Sequence, residues 1–402
     1  MTNVGEKTWY SAVKDKPFPL VRLGRELREY SHQGQSRRPT LLIAMRALRY
    51  HGPKDLRLES LPEPECKPTQ VKIKPAFVGI CGTDLHEYHS QTFVPKHGAP
   101  HAMTNETAPI TLGHELSGTI VEVGSEVARS TDLKPGDRVA VFPLLYCRNC
   151  PPCKDGVPAC CVKKGFLGLS GGGGGLSDFL CVGPEAVFKL VDNISLELGA
   201  LIEPLAVAWH AVSESGIKAG QASMVCGTGP IGLAIIQCLR AIDAGEIIAV
   251  EVAARRQELA KRFGATHILD PTQVDVTKAA RELTGGWGPP VVFECAGVPS
   301  SLECAIRAVC ARGIIMNVSI WERPIPFNPN SLVLNEKKLI GCLCYRLSDF
   351  ENVIDALHKG RLRPESMITG KIALNRVVED GFEALINGGL GHIKILVDLS
   401  AA

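Results

Sequence analysis

A glycine-rich segment in the second half of the chain limits the fold more than any other feature. Residues 227–232 (GTGPIG) have GxGxxG spacing, follow the short apolar run 224–226 and precede a helical pattern over 231–241. In this context the first glycine allows a tight turn, the second lets the backbone approach a pyrophosphate, and the third lets helix pack on strand. The segment therefore predicts a dinucleotide-binding unit that begins with a strand, a turn and a helix.

Short apolar runs alternate with helical periodicity through the rest of this region. Residues 224–226, 247–250, 290–294 and 314–318 have the composition of buried strands, and the helical pattern of residues 255–263 connects two of them. Such alternation is typical of a doubly wound parallel sheet in an α/β protein.

A carboxylate is positioned to select the cofactor. Glu251 follows the second strand, 19 residues after Gly232. A carboxylate there accepts hydrogen bonds from both ribose hydroxyls and repels a 2′-phosphate, so NAD(H) is favoured over NADP(H). Arg255 and Arg256 follow closely, and they keep NADP(H) as the alternative.

The first half of the chain has a different pattern. Residues 45–50, 71–74, 119–124 and 138–142 read as short strands separated by turns and long loops, which predicts a β-rich domain. Residues 1–44 mix acids with arginines, unlike an acid-poor mitochondrial presequence, and are expected to be an N-terminal extension. We expect domains at 45–212 and 213–345, with residues 346–402 returning to the first.

The composition limits which binding partners and which cellular compartment are expected. The 402 residues include 44 basic and 42 acidic side chains, so the balance gives no reason to expect nucleic acid or an anionic membrane as partner. No apolar run approaches the roughly 18 residues of a spanning helix. Fifteen cysteines, an odd number without a secretory signal, indicate reduced thiols and metal ligands in a cytoplasmic protein.

Four cysteines in one loop predict a zinc site. Cys147, Cys150, Cys153 and Cys161 are separated by steps of three, three and eight residues. Four thiolates suit tetrahedral zinc and leave no position for substrate, so this site is expected to be structural. Cys160 is the competitor for the fourth position.

A second set of residue types suits a catalytic zinc. Cys81, His114, Glu115 and Glu203 offer a thiolate, an imidazole and two carboxylates. Catalytic zinc has three protein ligands and one exchangeable position, and it polarises a carbonyl or promotes loss of the alcohol proton. The residue types alone leave the choice between Glu115 and Glu203 open.

Together these segments resemble the zinc-dependent medium-chain dehydrogenases over about residues 45–400. Residues 81–88 (CGTDLHEY) and 203–210 (EPLAVAWH) are most similar to the 2,3-butanediol dehydrogenases of the polyol branch. The insertion over residues 90–109 resembles that of fungal members. The resemblance implies a GroES-like catalytic domain joined to a Rossmann domain, and a homo-oligomer, either a dimer or a tetramer.

The resemblance also implies a role for each matching residue. Cys81 and His114 would bind the catalytic zinc with Glu115 or Glu203, Thr83 would bond the substrate hydroxyl, and His86 would relay its proton to solvent. The family step of eight residues favours Cys161 over Cys160 in the structural site. The expected cofactor-binding residues are Gly227, Gly229, Pro230, Ile231, Gly232, Glu251, Arg256, Ala296, Gly297, Val298, Val318, Ser319 and Ile320.

The expected activity is zinc-dependent hydride transfer between NAD(H) and a small vicinal diol or α-hydroxyketone, such as 2,3-butanediol or acetoin. One alternative keeps this chemistry on a bulkier alcohol, because the 90–109 insertion could reshape the pocket. The other alternative is a zinc-binding scaffold without catalysis, since dehydrogenase folds also serve as binding proteins.

Overall fold

The computed structural model describes residues 44–401, apart from residue 322 and residues 389–390. The predicted N-terminal extension lies outside the described residues except for Ala44, which begins the first strand. No helix in the described part of the chain is long and apolar enough to cross a membrane.

The chain first forms a β-rich lobe. Its strands are β1 (Ala44–Gly52), β2 (Asp55–Pro62), β3 (Val71–Gly79), β4 (Ile110–Thr111), β5 (Glu115–Val123), β6 (Arg138–Val141), β7 (Leu144–Leu145), β8 (Gly165–Phe166), β9 (Leu180–Val182) and β10 (Val187–Lys189). Its helices are α1 (Gly82–Ser90), α2 (Val127–Ser130), α3 (Pro151–Lys154), α4 (Leu196–Gly199) and α5 (Ile202–Glu214).

Strands and helices then alternate. This lobe contains β11 (Ser223–Cys226), α6 (Pro230–Ala241), β12 (Ile247–Val250), α7 (Ala254–Arg262), β13 (His267–Leu269), α8 (Val276–Glu282), β14 (Val291–Glu294), α9 (Pro299–Ala308), β15 (Ile314–Asn317), α10 (Asn330–Val333) and β16 (Lys338–Gly341). The last elements are α11 (Leu347–His358), β17 (Ile368–Ala373), a π-helical segment (Val377–Glu383), α12 (Ala384–Asn387) and β18 (Lys394–Asp398).

The alternating lobe is a doubly wound parallel sheet, as the sequence predicts. Its strand order is β13-β12-β11-β14-β15-β16, and every neighbouring pair is parallel. The central strands β11, β12 and β14 are buried along their whole length because helices cover both faces. The order reverses beside β11, where the crevice at the carboxyl ends of the strands opens.

The end of the chain belongs to the sheet of the β-rich lobe. The principal order there is β10-β6-β5-β3-β18-β17, with β18 antiparallel to β3 and parallel to β17. Strand β3 is longer than predicted because it continues past Pro75, where the register with β5 shifts. Strand β5 begins earlier than predicted, so that Glu115 is its first residue.

An aromatic cluster packs the segment after β16 and helix α11 against the β-rich lobe. The ring of Phe142 lies 5.3 Å from that of Tyr345 and 5.1 Å from that of Phe350, measured between centroids. Tyr345 and Phe350 are fully buried. Edge-to-face contacts of this kind stabilise beyond area burial by roughly 0.5–1.5 kcal/mol each. They hold the segment before α11 against Phe142, which follows β6.

Candidate active site

A cavity of about 750 Å³ lies where the two lobes meet. Its lining includes these predicted site residues: Cys81, Thr83, His86, His114, Glu115, Glu203, Pro230, Ile231, Ala296, Gly297, Val318, Ser319 and Ile320. The remaining predicted residues lie outside this lining: Gly227, Gly229, Gly232, Glu251, Arg256, Val298, Cys147, Cys150, Cys153 and Cys161.

A thiol, an imidazole and a carboxylate converge on one side of the cavity. Cys81 precedes the first turn of α1, whereas His114 and Glu115 lie where the chain enters β5. One ligand atom from each of the three residues lies within 4.8 Å of the others. This donor set suits Zn²⁺, which accepts sulfur, nitrogen and oxygen ligands.

Glu115 forms a buried ion pair that was not predicted from the sequence. The ammonium of Lys394, at the start of β18, lies 2.7 Å from each carboxylate oxygen and 3.1 Å from the carbonyl oxygen of Ile80. Burial lowers the pKa of Lys394, but Glu115, Cys81 and Glu203 together outweigh burial, so that the net pKa is raised. Both oxygens of Glu115 therefore already accept hydrogen bonds from a cation.

Glu203 has different surroundings. It lies in the first turn of α5, is buried, and accepts a hydrogen bond of 2.7 Å from the hydroxyl of Tyr345. Burial raises the pKa of Glu203 to about 7. It lines the same cavity but falls outside the 4.8 Å group. Glu115 is thus closer to Cys81 and His114, whereas Glu203 forms no ion pair among the described residues, although His114 and Lys394 lie near enough to favour its charged form.

Asp84 lies behind His114 and was also missed from the sequence. Its Oδ1 lies 3.5 Å from Nδ1 of His114, and both atoms are buried without a hydrogen-bond partner among the described residues. Burial opposes the charged imidazole, yet Asp84 and Cys81 hold the pKa of His114 well above its usual value. Carboxylates behind metal-binding histidines orient the ring, so this arrangement fits a metal-bound imidazole. The sequence could have indicated this role, because residues 81–84 (CGTD) place Asp84 three residues after Cys81.

Helix α1 also places the predicted relay beside the metal candidates. The hydroxyl of Thr83 lies 3.6 Å from the sulfur of Cys81, and His86 lines the cavity from the same helix. The 90–109 insertion contributes Phe93, whose ring lies 6.4 Å from that of Phe166 in an edge-to-face contact. Polar residues of α1 and an aromatic pair therefore line the same cavity.

The cysteine loop forms a separate cluster. The sulfur atoms of Cys147, Cys150, Cys153 and Cys161 lie within 4.8 Å of one another, and Cys160 is exposed and outside the group. The sulfurs of Cys150 and Cys153 are 3.4 Å apart. Four sulfurs at these distances suit a closed tetrahedral zinc site. The geometry thus favours Cys161 over Cys160.

Backbone amides point at the sulfurs of this loop. The N–H groups of Cys147 and Lys163 each donate to the sulfur of Cys161 at 3.3 Å. The backbone N–H of Asn149 is the main cause of a lowered pKa of Cys147, to about 6. These donors favour thiolate, which is the form that binds metal.

The glycine turn has the shape that a dinucleotide requires. Gly227 has φ +86°, and a Cβ built there would lie 2.8 Å from the Cβ of Ala296. A Cβ at Gly232 would overlap the carbonyl oxygen of Gly227. At Gly229, which precedes α6, a Cβ would meet nothing within 4 Å. This open space at a helix N-terminus suits a phosphate group.

Glu251 faces the glycine turn, with its carboxylate already hydrogen-bonded. One oxygen accepts from the backbone N–H and the hydroxyl of Thr228, both at 2.9 Å. The other accepts from the backbone N–H groups of Val252 and Ala253 at 2.9 and 3.0 Å. Arg256, in the first turn of α7, has a buried Nε without a partner among the described residues. The two predicted selectivity residues thus lie at the same end of β12.

Each of the two lobes matches a known protein family. Residues 67–192 match the family model described as alcohol dehydrogenase GroES-like domain, and residues 230–359 match that of zinc-binding dehydrogenase. The (R,R)-butanediol dehydrogenase of Bacillus subtilis is 44% identical over 355 residues, which cover 88% of this chain and 99% of that protein. A probable diacetyl reductase ((R)-acetoin forming) of Saccharomyces cerevisiae is 36% identical over 380 residues, covering 88% and 90%.

A solved structure agrees with the sequence matches. The crystal structure of 2R,3R-butanediol dehydrogenase from Bacillus subtilis has a TM-score of 0.82 and 43% identity, covering 88% of this chain and 99% of that one. The predicted pairing of a GroES-like domain with a Rossmann sheet is confirmed.

Proposed function

This chain belongs to the zinc-dependent medium-chain alcohol dehydrogenases, and we propose that it interconverts a small vicinal diol and its α-hydroxyketone, with 2,3-butanediol and acetoin as the leading pair. Family membership makes it an oxidoreductase that uses zinc and a nicotinamide cofactor. This favours the catalytic prediction over the alternative of a non-catalytic zinc-binding scaffold. The observation that carries the proposal is one cavity in which Cys81, His114 and a carboxylate face the segment beginning at Pro230. Relatives named for butanediol and diacetyl support the substrate class.

Each residue has a defined task in this proposal. A bound zinc would polarise the substrate oxygen, and the nicotinamide would exchange the hydride. Cys81 and His114 hold the metal with Glu115 or Glu203. Thr83 bonds the substrate hydroxyl, and His86 passes its proton to solvent. The apolar side of the cavity limits access of water to this pair.

The third metal ligand can be identified by paired substitutions. Glu115→Gln and Glu203→Gln each remove one carboxylate and preserve its shape. Loss of one zinc per chain in only one of the two variants would identify the ligand. Glu115→Gln also removes the partner of Lys394, so zinc content is measured together with the unfolding midpoint.

NAD(H) is the proposed cofactor. Glu251 lies at the end of β12, where a 2′-phosphate would approach its carboxylate. Arg256 is the nearby residue that favours NADP(H), the alternative cofactor. A Glu251→Gln variant is expected to lose its preference for NAD over NADP, and a wild type that turns over faster with NADP would contradict the assignment.

The central experiment is a substrate panel under both cofactors, with zinc analysis of the same preparation. We expect two zinc ions per chain, one at the catalytic set and one at the structural set Cys147, Cys150, Cys153 and Cys161. We expect the fastest turnover on 2,3-butanediol or acetoin. A fully zinc-loaded protein without activity on any diol, polyol or hydroxyketone would refute the proposal. The cytoplasmic location and a homodimer or homotetramer are further parts of it.

A bulkier alcohol is the second candidate substrate. The insertion over residues 90–109 places Phe93 in the cavity lining, against Phe166. Aromatic side chains there would contact a substrate larger than a four-carbon diol. Fast turnover of butanediol relative to bulkier alcohols would remove this candidate.

A further inference from the structure

Glu294 is a buried carboxylate at the carboxyl end of β14, in the middle of the parallel sheet. It is fully buried. One oxygen accepts from the backbone N–H groups of Ala296 and Gly297, both at 3.0 Å, and from the hydroxyl of Ser301 at 2.7 Å. The other oxygen accepts from the hydroxyl of Ser319. Neither the sequence motifs nor the proposed mechanism uses this side chain.

These hydrogen bonds join two loops that line the cavity. Ala296 and Gly297 belong to the loop after β14, and Ser319 belongs to the loop after β15. The main-chain carbonyl of Glu294 also accepts from the N–H of Val318 at 3.0 Å. The first loop in turn packs against the glycine turn, since a Cβ at Gly227 would press on Ala296. Glu294 therefore links two loops of the cavity, and the first of them also packs against the glycine turn.

The charge of Glu294 is not cancelled by a neighbouring cation. Among the described residues, no lysine, arginine or histidine forms an ion pair with it. The four groups that donate to its carboxylate, two backbone N–H groups and two serine hydroxyls, are all neutral. Hydrogen bonds to an ionised carboxylate are shorter and stronger than those between two neutral groups. In a region of low dielectric constant, that charge acts over several ångströms more strongly than it would in water.

The two forms of the cofactor differ in charge at the ring. The oxidised nicotinamide is a cation, whereas the reduced ring is neutral. We propose that Glu294 is a positioning residue: its carboxylate holds the two loops at the nicotinamide end of the cavity and favours the oxidised cofactor over the reduced one. This inference rests on the proposed function and on the family resemblance, from which Ala296, Gly297 and Ser319 are expected to border the nicotinamide.

The test compares dissociation constants for NAD⁺ and NADH in wild type and Glu294→Gln, measured by calorimetry. Glutamine keeps an acceptor for the amides of Ala296 and Gly297 but removes the charge. We expect the affinity for NAD⁺ to fall about tenfold relative to that for NADH, equivalent to about 1.4 kcal/mol. A purely structural role would weaken both cofactors equally, and an unchanged ratio would overturn the proposal.

A matched control is available on the next helix. Glu303 lies on α9, has a side chain that is 71% exposed, and pairs with Arg307 at 3.7 Å. Glu303→Gln makes the same chemical change in solvent, and it should leave the ratio of the two affinities unchanged. A shift in Glu303→Gln equal to that in Glu294→Gln would overturn the assignment to the buried carboxylate.

A second variant separates charge from position. Glu294→Asp keeps the charge but shortens the side chain, so both cofactors should bind more weakly while their ratio stays near that of wild type. This comparison also serves if Glu294→Gln does not fold, because a ratio shifted toward NADH in Glu294→Asp would overturn the proposal. A wild type that binds neither cofactor would instead refute the proposed function.

Discussion

The ion pair between Lys394 and Glu115 permits a quantitative test of how the metal side of the cavity is built. The side chains are 2% and 1% exposed, and Lys394 also donates to the carbonyl oxygen of Ile80. Lys394→Met keeps most of the apolar stem but leaves the carboxylate of Glu115 buried without its cation. Removing one partner of a buried pair destabilises a protein by about 3–5 kcal/mol.

Urea unfolding in zinc-containing buffer measures this loss. Because m-values in urea reach about 3 kcal/mol/M for small proteins and rise with size, we expect the midpoint to fall by on the order of 1 M. The matched control is Lys371→Met, since Lys371 pairs with Glu197 at the surface with side chains 52% and 34% exposed. An exposed pair contributes about 0–1 kcal/mol, so the control midpoint should change little.

The double variant Lys394→Met/Glu115→Gln identifies the cause. Removing both charges eliminates the uncompensated carboxylate, so this variant should unfold at a higher urea concentration than Lys394→Met alone. If Lys394→Met unfolds at the same urea concentration as the Lys371→Met control, the reasoning from burial and charge is wrong.

Three other predictions concern the glycine turn, the cysteine loop and alkaline stability. Gly229→Ala should keep the unfolding midpoint of wild type but bind cofactor about tenfold more weakly, whereas Gly232→Ala should lose about 1–3 kcal/mol of stability by overpacking. Cys153→Ser should lose one zinc per chain and melt at a lower temperature, while Cys160→Ser should retain both ions; equal zinc contents would contradict the assignment. Burial raises the pKa of Tyr88 from 10 to about 12, so its contribution to stability is complete below pH 10 and is lost as the pH rises through 12. Between pH 10 and 12, Tyr88→Phe should therefore lose stability less steeply than wild type in urea titrations, and parallel slopes would refute this.

Local patterns predicted the four central strands of the Rossmann sheet but not its edge strands β13 and β16. Its strands are short runs of apolar residues between turn residues, and β12 coincides with the predicted 247–250. In the β-rich lobe, the pattern failed where geometry departs from regular alternation. Pro75 interrupts the pattern of β3, although the strand continues after a shift in register.

The residues that support the site could not be found in this way. Lys394 is 279 residues from Glu115, and Tyr345 is 142 residues from Glu203. These pairs are created by strand β18 entering the first sheet and by the segment before α11 packing on α5. Motif spacing describes only neighbours in sequence, so it found the metal candidates but not their buried partners. Asp84 was missed too, although it lies inside the segment that carries Cys81 and could have been found there.

The position of β18 near the end of the chain also delays its pairing with β3 during synthesis. Lys394 and Ile80 are 314 residues apart, so at about 5–20 residues per second the ribosome needs about 15–60 s between them. During that interval the edge of β3 and the carboxylate of Glu115 are without their partners, and the whole parallel sheet is synthesised before β18. The sheet of the β-rich lobe can therefore be completed only after the last strand of the chain has been made.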